Sequence, residues 1–310
     1  MSDRAVAQAL LDGLGEVILG KPDALRLLVV GVLADGHVLL EDVPGVGKTT
    51  LARALARSLD LEFRRVQFTP DLMPTDILGT SVLRPADGTF EFRPGPVFAN
   101  VLLADEVNRA SPRTQAALLE AMSERQVTSD GSTRKLPQPF FVVATQNPAD
   151  FEGTYPLPEA QLDRFLLRVR LGYPAEEEEL AMLFGQRLSH PLDAMTSVTD
   201  AASLRAMQRA VREVQVADPV ARYLLQLVRS TREHPDLALG ASPRGALALF
   251  RSAQAEAWIA GRDFVTPADA QRVAPAVLGH RLQLAPQAAY AGRSRAQVVD
   301  EVIEAVPVPT

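Results

Sequence analysis

The chain has 310 residues, a formal net charge of −6 and a hydrophobic content of 47%. That content is enough for a full core, so it excludes a disordered chain, and the length suits one large or two ordinary domains. The acidic balance argues against a general binder of nucleic acid or anionic membranes, since such proteins are more often basic. Cysteine is absent, which excludes disulfides, thiol nucleophiles and cysteine zinc sites.

The N-terminal part predicts neither a signal peptide nor a membrane span. The first ten residues, MSDRAVAQAL, are charged and lack a long apolar core. The most apolar early stretch, LRLLVVGVLADGHVLL, is interrupted by Asp35 and His37. Because a chain without cysteine is also compatible with a reducing compartment, we expect a cytoplasmic protein.

Short apolar runs predict the strands of a sheet. Several are continuous rather than alternating, which is typical of strands buried on both faces of a parallel sheet. Helical patterns separate them, so the sequence predicts an α/β sheet covered by helices. The five runs are HVLLED (37–42), FRRVQF (63–68), VLLADE (101–106), FFVVATQ (140–146) and FLLRVRL (165–171).

Two insertions interrupt the alternation of strands and helices. TSVLRPADGTFEF has alternating flanks around a Pro-Ala-Asp-Gly turn, and QVTSDGSTRKL centres on Asp130 and Gly131. Asp-Gly is a favoured pair for a two-residue type I′ turn. Both insertions are therefore predicted to be β-hairpins.

Strand patterns stop after LGYP (171–174), and the remaining sequence is helical in pattern. We therefore predict a nucleotide-binding domain with two hairpin insertions over residues 1–173 and a helical domain over residues 174–310. The acidic run from Glu176 to Glu179 fits the first turn of a helix, where carboxylates favour the positive end of the helix dipole, better than a metal site.

A glycine-rich turn follows the first strand and precedes a helix. Such a turn can point its backbone N–H groups at phosphates, with a lysine reaching the outer phosphates and a hydroxyl binding magnesium. Here these are Lys48 and Thr49, and the alternative is a tight turn without a ligand. The predicted nucleotide contacts are Pro44, Gly45, Val46, Gly47, Lys48, Thr49 and Thr50. Asp42 stands where the usual pattern has its first glycine; since aspartate tolerates unusual backbone angles, we expect the loop to form.

Two acids, Asp105 and Glu106, end the third strand. Parallel sheets bind ligands at the carboxyl ends of their strands. Asp105 is predicted to hold magnesium with Thr49, and Glu106 to orient an attacking water. The alternative is that the two acids only end the strand and cap the next element, and the phosphate loop at a suitable distance in the chain argues against it.

At this point the chain resembles the MoxR-type AAA+ ATPases of the helix-2-insert clade. The resemblance lies in EDVPGVGKT, VLLADEVNRASPRTQAALLEAM, VVATQNP and GTYPLPEAQLDRF, and it runs through essentially the whole chain. It implies a phosphate-loop αβα domain with a parallel five-stranded sheet, followed by an all-α lid domain. The two hairpins would be the clade's helix-2 insert and pre-sensor-1 hairpin, and the protein would be a homo-oligomer, a hexameric ring.

The resemblance also implies three further catalytic residues. Asn147 matches sensor 1, which positions the attacking water; an Asn-Pro turn is the alternative. Arg164 matches the arginine finger that reaches a neighbouring subunit's γ-phosphate; an ion pair with Asp163 is the alternative. Arg244 matches sensor 2, which would hold the γ-phosphate together with the neighbour's Arg164.

Local helix chemistry supports an anion near Arg244. In SPRG, Ser242 is the expected N-cap, so Arg244 would face the positive end of its own helix. Such a position is more natural if an anion lies close by. Arg113 in SPRT has the same position and is assigned to a subunit interface, and Gly20 in VILGKP matches the family's entry to the adenine pocket.

The expected function is hydrolysis of ATP, with Mg²⁺, coupled to chaperone-like remodelling of client proteins. The resemblance further implies a partner with a von Willebrand factor A domain. One alternative is a nucleic-acid motor, whose only local support is Arg134 and Lys135 near a hairpin tip. Another is a nucleotide-gated scaffold with little turnover, against which the water-positioning Glu106 counts.

Overall fold

The computed structural model describes residues 3–86, 88–147, 154–185 and 191–309. We call the first part, up to β9, the sheet domain. Its elements are α1 (Asp3–Val17), α2 (Pro22–Leu33), β1 (Val38–Glu41), α3 (Lys48–Ser58), β2 (Phe63–Gln67), α4 (Pro74–Leu78), β3 (Gly79–Leu83), β4 (Phe90–Pro94), β5 (Val101–Asp105), α5 (Pro112–Glu124), β6 (Gln126–Ser129), β7 (Ser132–Lys135), β8 (Phe141–Gln146), α6 (Glu159–Leu162) and β9 (Leu167–Val169). Short 3-10 turns lie at Pro96–Phe98 and Val107–Arg109.

The remaining elements form the part that we call the lid. They are α7 (Glu176–Gly185), α8 (Pro191–Ala194), α9 (Ala201–Glu213), α10 (Asp218–Glu233), β10 (Leu237–Leu239), α11 (Pro243–Ile259), α12 (Pro267–Leu278), β11 (Gln283–Leu284), α13 (Pro286–Tyr290) and α14 (Arg295–Ala305). The lid is helical as expected, and it also contains a small antiparallel ribbon of β10 and β11 that the sequence pattern did not indicate.

Five parallel strands form the central sheet in the order β2-β5-β8-β1-β9. These are the five strands that the apolar runs predict. The central strands β5 and β8 are buried along nearly their whole length, while β2 exposes Arg64 and Arg65, as suits a strand at the edge of a sheet. The predicted αβα domain with a parallel five-stranded sheet is therefore confirmed.

Apolar side chains from the two faces of the sheet build two separate cores. Leu103 and Val143 face the core that α1, α2, α3 and the lid helices share, whereas Leu102 and Val142 face a second core with α4 and α5. The alternation follows from the two-residue period of a strand. Since the first core continues into the lid, the lid packs against the sheet domain through buried apolar side chains.

Both predicted hairpins are present. β3 pairs with β4, and β6 pairs with β7, each antiparallel. At the tip of the second hairpin Asp130 and Gly131 have φ of +52° and +72°, as a type I′ turn requires. The guanidinium of Arg134 lies 3.8 Å from the ring centroid of Phe92, so the two hairpins contact each other.

Within the described part of the chain, no helix has both the length and the apolar character needed to cross a bilayer.

Candidate nucleotide-binding site

The turn between β1 and α3 has the backbone of a phosphate loop. Gly45 and Gly47 adopt φ of +88° and +92°, in the left-handed region that a side chain would strain. Gly47 is the N-cap of α3, and Lys48 is its first helical residue. The N–H groups and the dipole of this helix therefore point at the loop, where an anion is favoured.

The side chain of Lys48 is buried at the base of this loop, where the residue is only 7% exposed. Its Nζ donates to the backbone oxygens of Asp42 and Val43 and, at 3.1 Å, to Oδ1 of Asn147. Burial lowers the pKa of Lys48, while nearby carboxylates, those of Asp42 and Asp105 among them, act to raise it. The ammonium is thus held by acceptors that phosphate oxygens can replace.

Asp105 lies at the carboxyl end of β5 with one oxygen anchored and the other paired. Its Oδ1 accepts a 2.6 Å hydrogen bond from the hydroxyl of Thr145 on β8. Its Oδ2 accepts from Arg65 on the neighbouring edge strand β2, at 2.7 Å from Nη2. The carboxylate is therefore fixed in direction, and only the Arg65 contact must change for Oδ2 to serve another cation.

Glu106 is surrounded by donors. Its Oε1 accepts from Nδ2 of Asn147 at 3.0 Å, and its Oε2 accepts from Gln67 at 2.8 Å and Arg109 at 3.0 Å. Its backbone N–H donates to Thr145, and its φ is +56°, an uncommon value for a residue with a side chain. Non-glycine residues in this region are found preferentially at functional sites, because the strain must be held by the surroundings.

These contacts bring the predicted residues together. Lys48 is bonded to Asn147, Asn147 to Glu106, and Thr145 joins Glu106 to Asp105. These five residues come from the ends of two strands, β5 and β8, and from the start of α3, which follows β1; they meet because parallel strands β1, β5 and β8 end at the same edge of the sheet. The phosphate loop and the two acids thus lie within a side chain's reach of each other.

The donors present fit magnesium arriving with a triphosphate rather than a metal held by protein alone. Among the described residues there is no cluster of three or more His, Cys, Asp or Glu that could hold a metal. Thr49 in the first turn of α3 and the fixed Oδ2 of Asp105 supply hard oxygen ligands, and phosphates would complete such a shell. Thr49 and Asp105 are therefore the residues that would hold the ion.

Asp42 has a role that its backbone does not explain. It is not among the described non-glycine residues with positive φ, so tolerance of unusual angles is not why aspartate suits this position. Its Oδ2 accepts the backbone N–H groups of Leu171 and Gly172 at 2.7 and 2.6 Å, and its Oδ1 accepts that of Val43. Asp42 thus ties the phosphate loop to the chain that leads from β9 into the lid.

A cavity of about 480 Å³ extends from the phosphate loop. Its walls come from the loop, from the segment after α1, from the linker to the lid and from α7, so apolar and backbone atoms surround it. The lining residues are Val17, Ile18, Leu19, Lys21, Pro44, Gly45, Val46, Gly47, Thr50, Gly172, Tyr173, Pro174, Glu179, Met182 and Leu183. Such a cavity suits a flat base and ribose. Gly20 itself lines the adjoining cavity, where a Cβ on it would overlap the carboxylate of Glu178.

Arg164 and Arg244 lie elsewhere. Both line a second cavity of about 300 Å³, which shares no lining residue with the first and which we call the arginine cavity. Arg164 donates to the Leu119 carbonyl and the Ser123 hydroxyl of α5, and its neighbour Asp163 pairs with Arg281 instead. Arg244 is exposed and makes no hydrogen bond or ion pair with another described residue. Arg244 therefore lines a different cavity from the one at the phosphate loop of its own subunit. Arg113 is exposed in the first turn of α5.

Several site residues escaped the sequence analysis. Arg65, Gln67 and Thr145 hold the two acids, yet each looks like an ordinary polar residue in a strand. One signal was available for Gln67, since it lies near the end of the predicted strand 63–68; the structure shows that it pairs in register with Asp105. The two linker partners of Asp42 are 129 and 130 positions away, so no local pattern reveals them.

Comparisons with known proteins agree with this geometry. Residues 37–167 match the model of the ATPase family associated with various cellular activities (AAA), and residues 229–302 match the AAA lid domain. The chain is 50% identical to the uncharacterized protein YeaC of Bacillus subtilis over 96% of this chain and 93% of the relative. It is 41% identical to Chaperone MoxR1 of Mycobacterium tuberculosis over 94% of this chain and 80% of the relative.

Among solved structures, a crystal structure of a protein from Cytophaga hutchinsonii with a provisional assignment as an ATPase superposes with a TM-score of 0.92. It is 38% identical and covers 99% of this chain and 96% of its own. The phosphate loop, the paired acids, the sheet order and these relatives lead to one conclusion: the chain belongs to the MoxR-type AAA+ ATPases.

Proposed function

We propose that this protein hydrolyses ATP at a site shared between subunits of a homo-oligomeric ring, a hexamer, and uses the cycle to remodel client proteins. The observation that carries the proposal is the continuous chain of hydrogen bonds from Lys48 through Asn147 to Glu106. It links the group that reaches the outer phosphates to the carboxylate that can orient a water beside them.

Each residue of this chain has a defined task in phosphoryl transfer, where catalysis depends on positioning and on charge stabilisation. Lys48 exchanges its present acceptors for the outer phosphates. Glu106 accepts a hydrogen bond from the attacking water, and Asn147, already bonded to both Lys48 and Glu106, holds that water in line. Magnesium, held by Thr49 and Asp105, would supply positive charge against the phosphates.

On the loop side, the guanidinium groups of Arg65 and Arg109 are paired with Asp105 and Glu106, so they are already engaged and are not available for the charge that develops on the γ-phosphate. Arg164 and Arg244 supply cations for this charge, but on the arginine cavity. We therefore assign both arginines to the nucleotide of a neighbouring subunit. This proposal differs from the expectation that Arg244 serves its own subunit, and it agrees with a guanidinium in the first turn of α11 that has no hydrogen-bond or ion-pair partner among the described residues.

Hydrolysis removes the phosphate that both subunits hold, so the two subunits can shift relative to each other. Such shifts can remodel a bound protein. The name of the relative Chaperone MoxR1, at 41% identity, supports a protein client. A partner with a von Willebrand factor A domain is part of the same proposal.

A mixing assay tests the shared site. Lys48→Ala and Arg164→Ala proteins should each release phosphate at a small fraction of the wild-type rate. Their mixture should recover activity, because an Arg164→Ala subunit keeps an intact loop and a Lys48→Ala neighbour offers an intact arginine cavity. A mixture no faster than the two separate proteins would contradict the assignment.

The client itself is best sought with Glu106→Gln, which keeps the phosphate loop and lacks the water-orienting carboxylate. With ATP present this variant should hold its client long enough for capture. Lys48→Ala under the same conditions is the matched control, since it should not reach the nucleotide-bound state.

A nucleic-acid motor receives little support. Of the two basic residues near the hairpin tip, Arg134 lies over the ring of Phe92 and donates to backbone oxygens of its own hairpin. ATP hydrolysis that rises on adding DNA and loses that stimulation with salt would revive this alternative.

A further inference from the structure

Arg281 of the lid is inserted into the segment of the sheet domain that carries Arg164. The residue is only 4% exposed. Its Nη2 donates to the backbone oxygens of Asp163, at 3.3 Å, and Phe165, at 2.5 Å, and its Nη1 donates to that of Leu166 at 3.2 Å. Its Nε donates to the carboxylate of Asp163 at 2.7 Å. One guanidinium therefore holds the backbone on both sides of Arg164.

The same carboxylate reaches the helix that carries Arg244. Asp163 accepts a second hydrogen bond, at its Oδ2, from the hydroxyl of Ser242 at 2.8 Å. Ser242 is the N-cap of α11 and accepts from the backbone N–H of Gly245, so it fixes the first turn in which Arg244 lies. Asp163 thus connects the Arg164 segment, the guanidinium of Arg281 and the start of α11.

The packing around Arg281 is fitted to this arrangement. A Cβ on Gly245 would lie 3.1 Å from Cδ of Arg281, so glycine leaves room for the arginine stem. Nη1 also donates to the backbone oxygen of Val277 and lies 2.8 Å from Nε2 of the buried His280. Burial lowers the pKa of Arg281 to about 10, and Asp163 opposes that shift, so the guanidinium stays charged at neutral pH.

A buried ion pair is an expensive way to join two domains, because desolvation offsets much of the attraction, and apolar side chains of similar volume often stabilise as well or better. The lid already packs on the sheet domain through apolar side chains. Since the ion pair is not needed to hold the lid on the sheet domain, the directional contacts of the guanidinium indicate that it fixes the positions of the residues around it.

We infer that Arg281 and Asp163 are positioning residues that set Arg164 and Arg244 relative to each other, so that both reach the nucleotide of a neighbouring subunit. The inference rests on the proposed function, in which the arginine cavity serves that nucleotide. Neither residue touches the loop of its own subunit. Substituting either residue should therefore slow ATP hydrolysis at the neighbouring subunit's site and leave nucleotide binding by the same subunit unchanged.

The test uses Arg281→Met, which removes the charge and keeps a long stem, in three phosphate-release assays. Alone, the variant should lose about 10- to 100-fold in rate, the cost expected when a catalytic group is displaced by about 1 Å, with ATP affinity unchanged. Mixed with Lys48→Ala, which has an intact arginine cavity, it should recover activity. Mixed with Arg164→Ala, which shares its defect, it should not.

A control and a milder variant accompany the test. Arg262→Met breaks another lid ion pair, with Asp269, that does not contact residues 163–166, and it should keep the wild-type rate. Asp163→Asn removes the charge without changing the shape, and it should show the same pattern of recovery if Arg281→Met does not fold. Arg281→Lys keeps the basic charge and should recover the rate only in part, since one ammonium cannot replace the guanidinium bonds to the Asp163 carboxylate and to the backbone oxygens of residues 163, 165 and 166 together.

The inference would be overturned if the variants recovered activity with Arg164→Ala instead of with Lys48→Ala. It would also be overturned if Arg281→Met and Asp163→Asn both kept the wild-type rate, or if they folded and recovered activity with neither Lys48→Ala nor Arg164→Ala. The reference mixture of Lys48→Ala and Arg164→Ala distinguishes failure of the shared site from failure of the positioning role. If that reference fails, the shared site itself is refuted; if it recovers while the Arg281 and Asp163 variants break the pattern, only the positioning role is refuted.

Discussion

The loop cavity and the arginine cavity differ in what each can do within one subunit. The loop cavity has a phosphate loop, two acids and Asn147 joined by hydrogen bonds, together with space for a base. The arginine cavity has cations but no such loop, and Arg244 there lacks a partner among the described residues. In the proposed function, the loop cavity binds the nucleotide and the arginine cavity contacts an anion that arrives from outside the subunit.

Because of this difference, we expect variants to affect nucleotide binding and ATP hydrolysis separately. Nucleotide affinity should depend on the loop cavity of a single subunit. The rate of hydrolysis should depend on both cavities and hence on assembly.

The largest expected effect is the loss of ATP hydrolysis in Arg164→Ala. Trans-acting arginines contribute about 10³–10⁵ to the rate in other phosphate-loop enzymes, so phosphate release should fall by a factor in this range. ATP affinity should stay near that of the wild type, because Arg164 lines the arginine cavity and not the loop cavity. Parallel binding and single-turnover measurements check this, and an equal loss in affinity would place the arginine at its own subunit's nucleotide.

The next largest effect is a fall in stability at acidic pH caused by His37, a buried residue that lines the arginine cavity. Its Nδ1 accepts from the backbone N–H of Val142, and its Nε2 donates to the Met122 oxygen, so the neutral ring fits the site. Burial lowers its pKa from 6.5 to about 4. The unfolded chain takes up the proton first as pH falls, so stability should drop by about 3 kcal/mol between pH 6.5 and pH 4.

Urea unfolding across that window, for the wild type and His37→Gln, measures the contribution. His280 is also buried, its pKa is also lowered, and it should add a fall of the same sign in both proteins. The variant should therefore show a shallower decline than the wild type. Equal slopes would mean that His37 is not held neutral in the folded protein.

A smaller effect is expected at Asp42. Asp42→Gly restores the usual loop pattern but removes a charged acceptor from two backbone N–H groups of the linker, whose Gly172 lines the base cavity. Hydrogen bonds to charged groups contribute about 1.5–3 kcal/mol, so ATP affinity should weaken by about tenfold or more. Asp42→Asn should weaken it less, and Asp60→Asn, at an exposed site, should not change it. An unchanged affinity in Asp42→Gly would show that the usual glycine serves equally well.

Much of the fold and of the site could be predicted from the sequence, because the patterns that indicate them are local. Continuous apolar runs predicted the five strands, Asp-Gly predicted the second hairpin turn, and strand ends predicted the edge where Lys48, Asp105 and Glu106 meet. The contacts of Asp42 and Arg281 were out of reach, since each depends on partners more than 100 positions away. Arg281 looks like a surface residue in the sequence, and only the fold reveals that it is buried.

The central claim is that Arg164 and Arg244 of one subunit both contact the nucleotide of its neighbour. The most direct measurement is phosphate release by a mixture of Arg164→Ala and Arg244→Ala proteins, with Lys48→Ala plus Arg244→Ala as the reference. Because each arginine variant offers its neighbour an incomplete cavity, the first mixture should stay as slow as its components while the reference recovers. Recovery in the first mixture would mean that Arg244 serves the nucleotide of its own subunit, which contradicts the account.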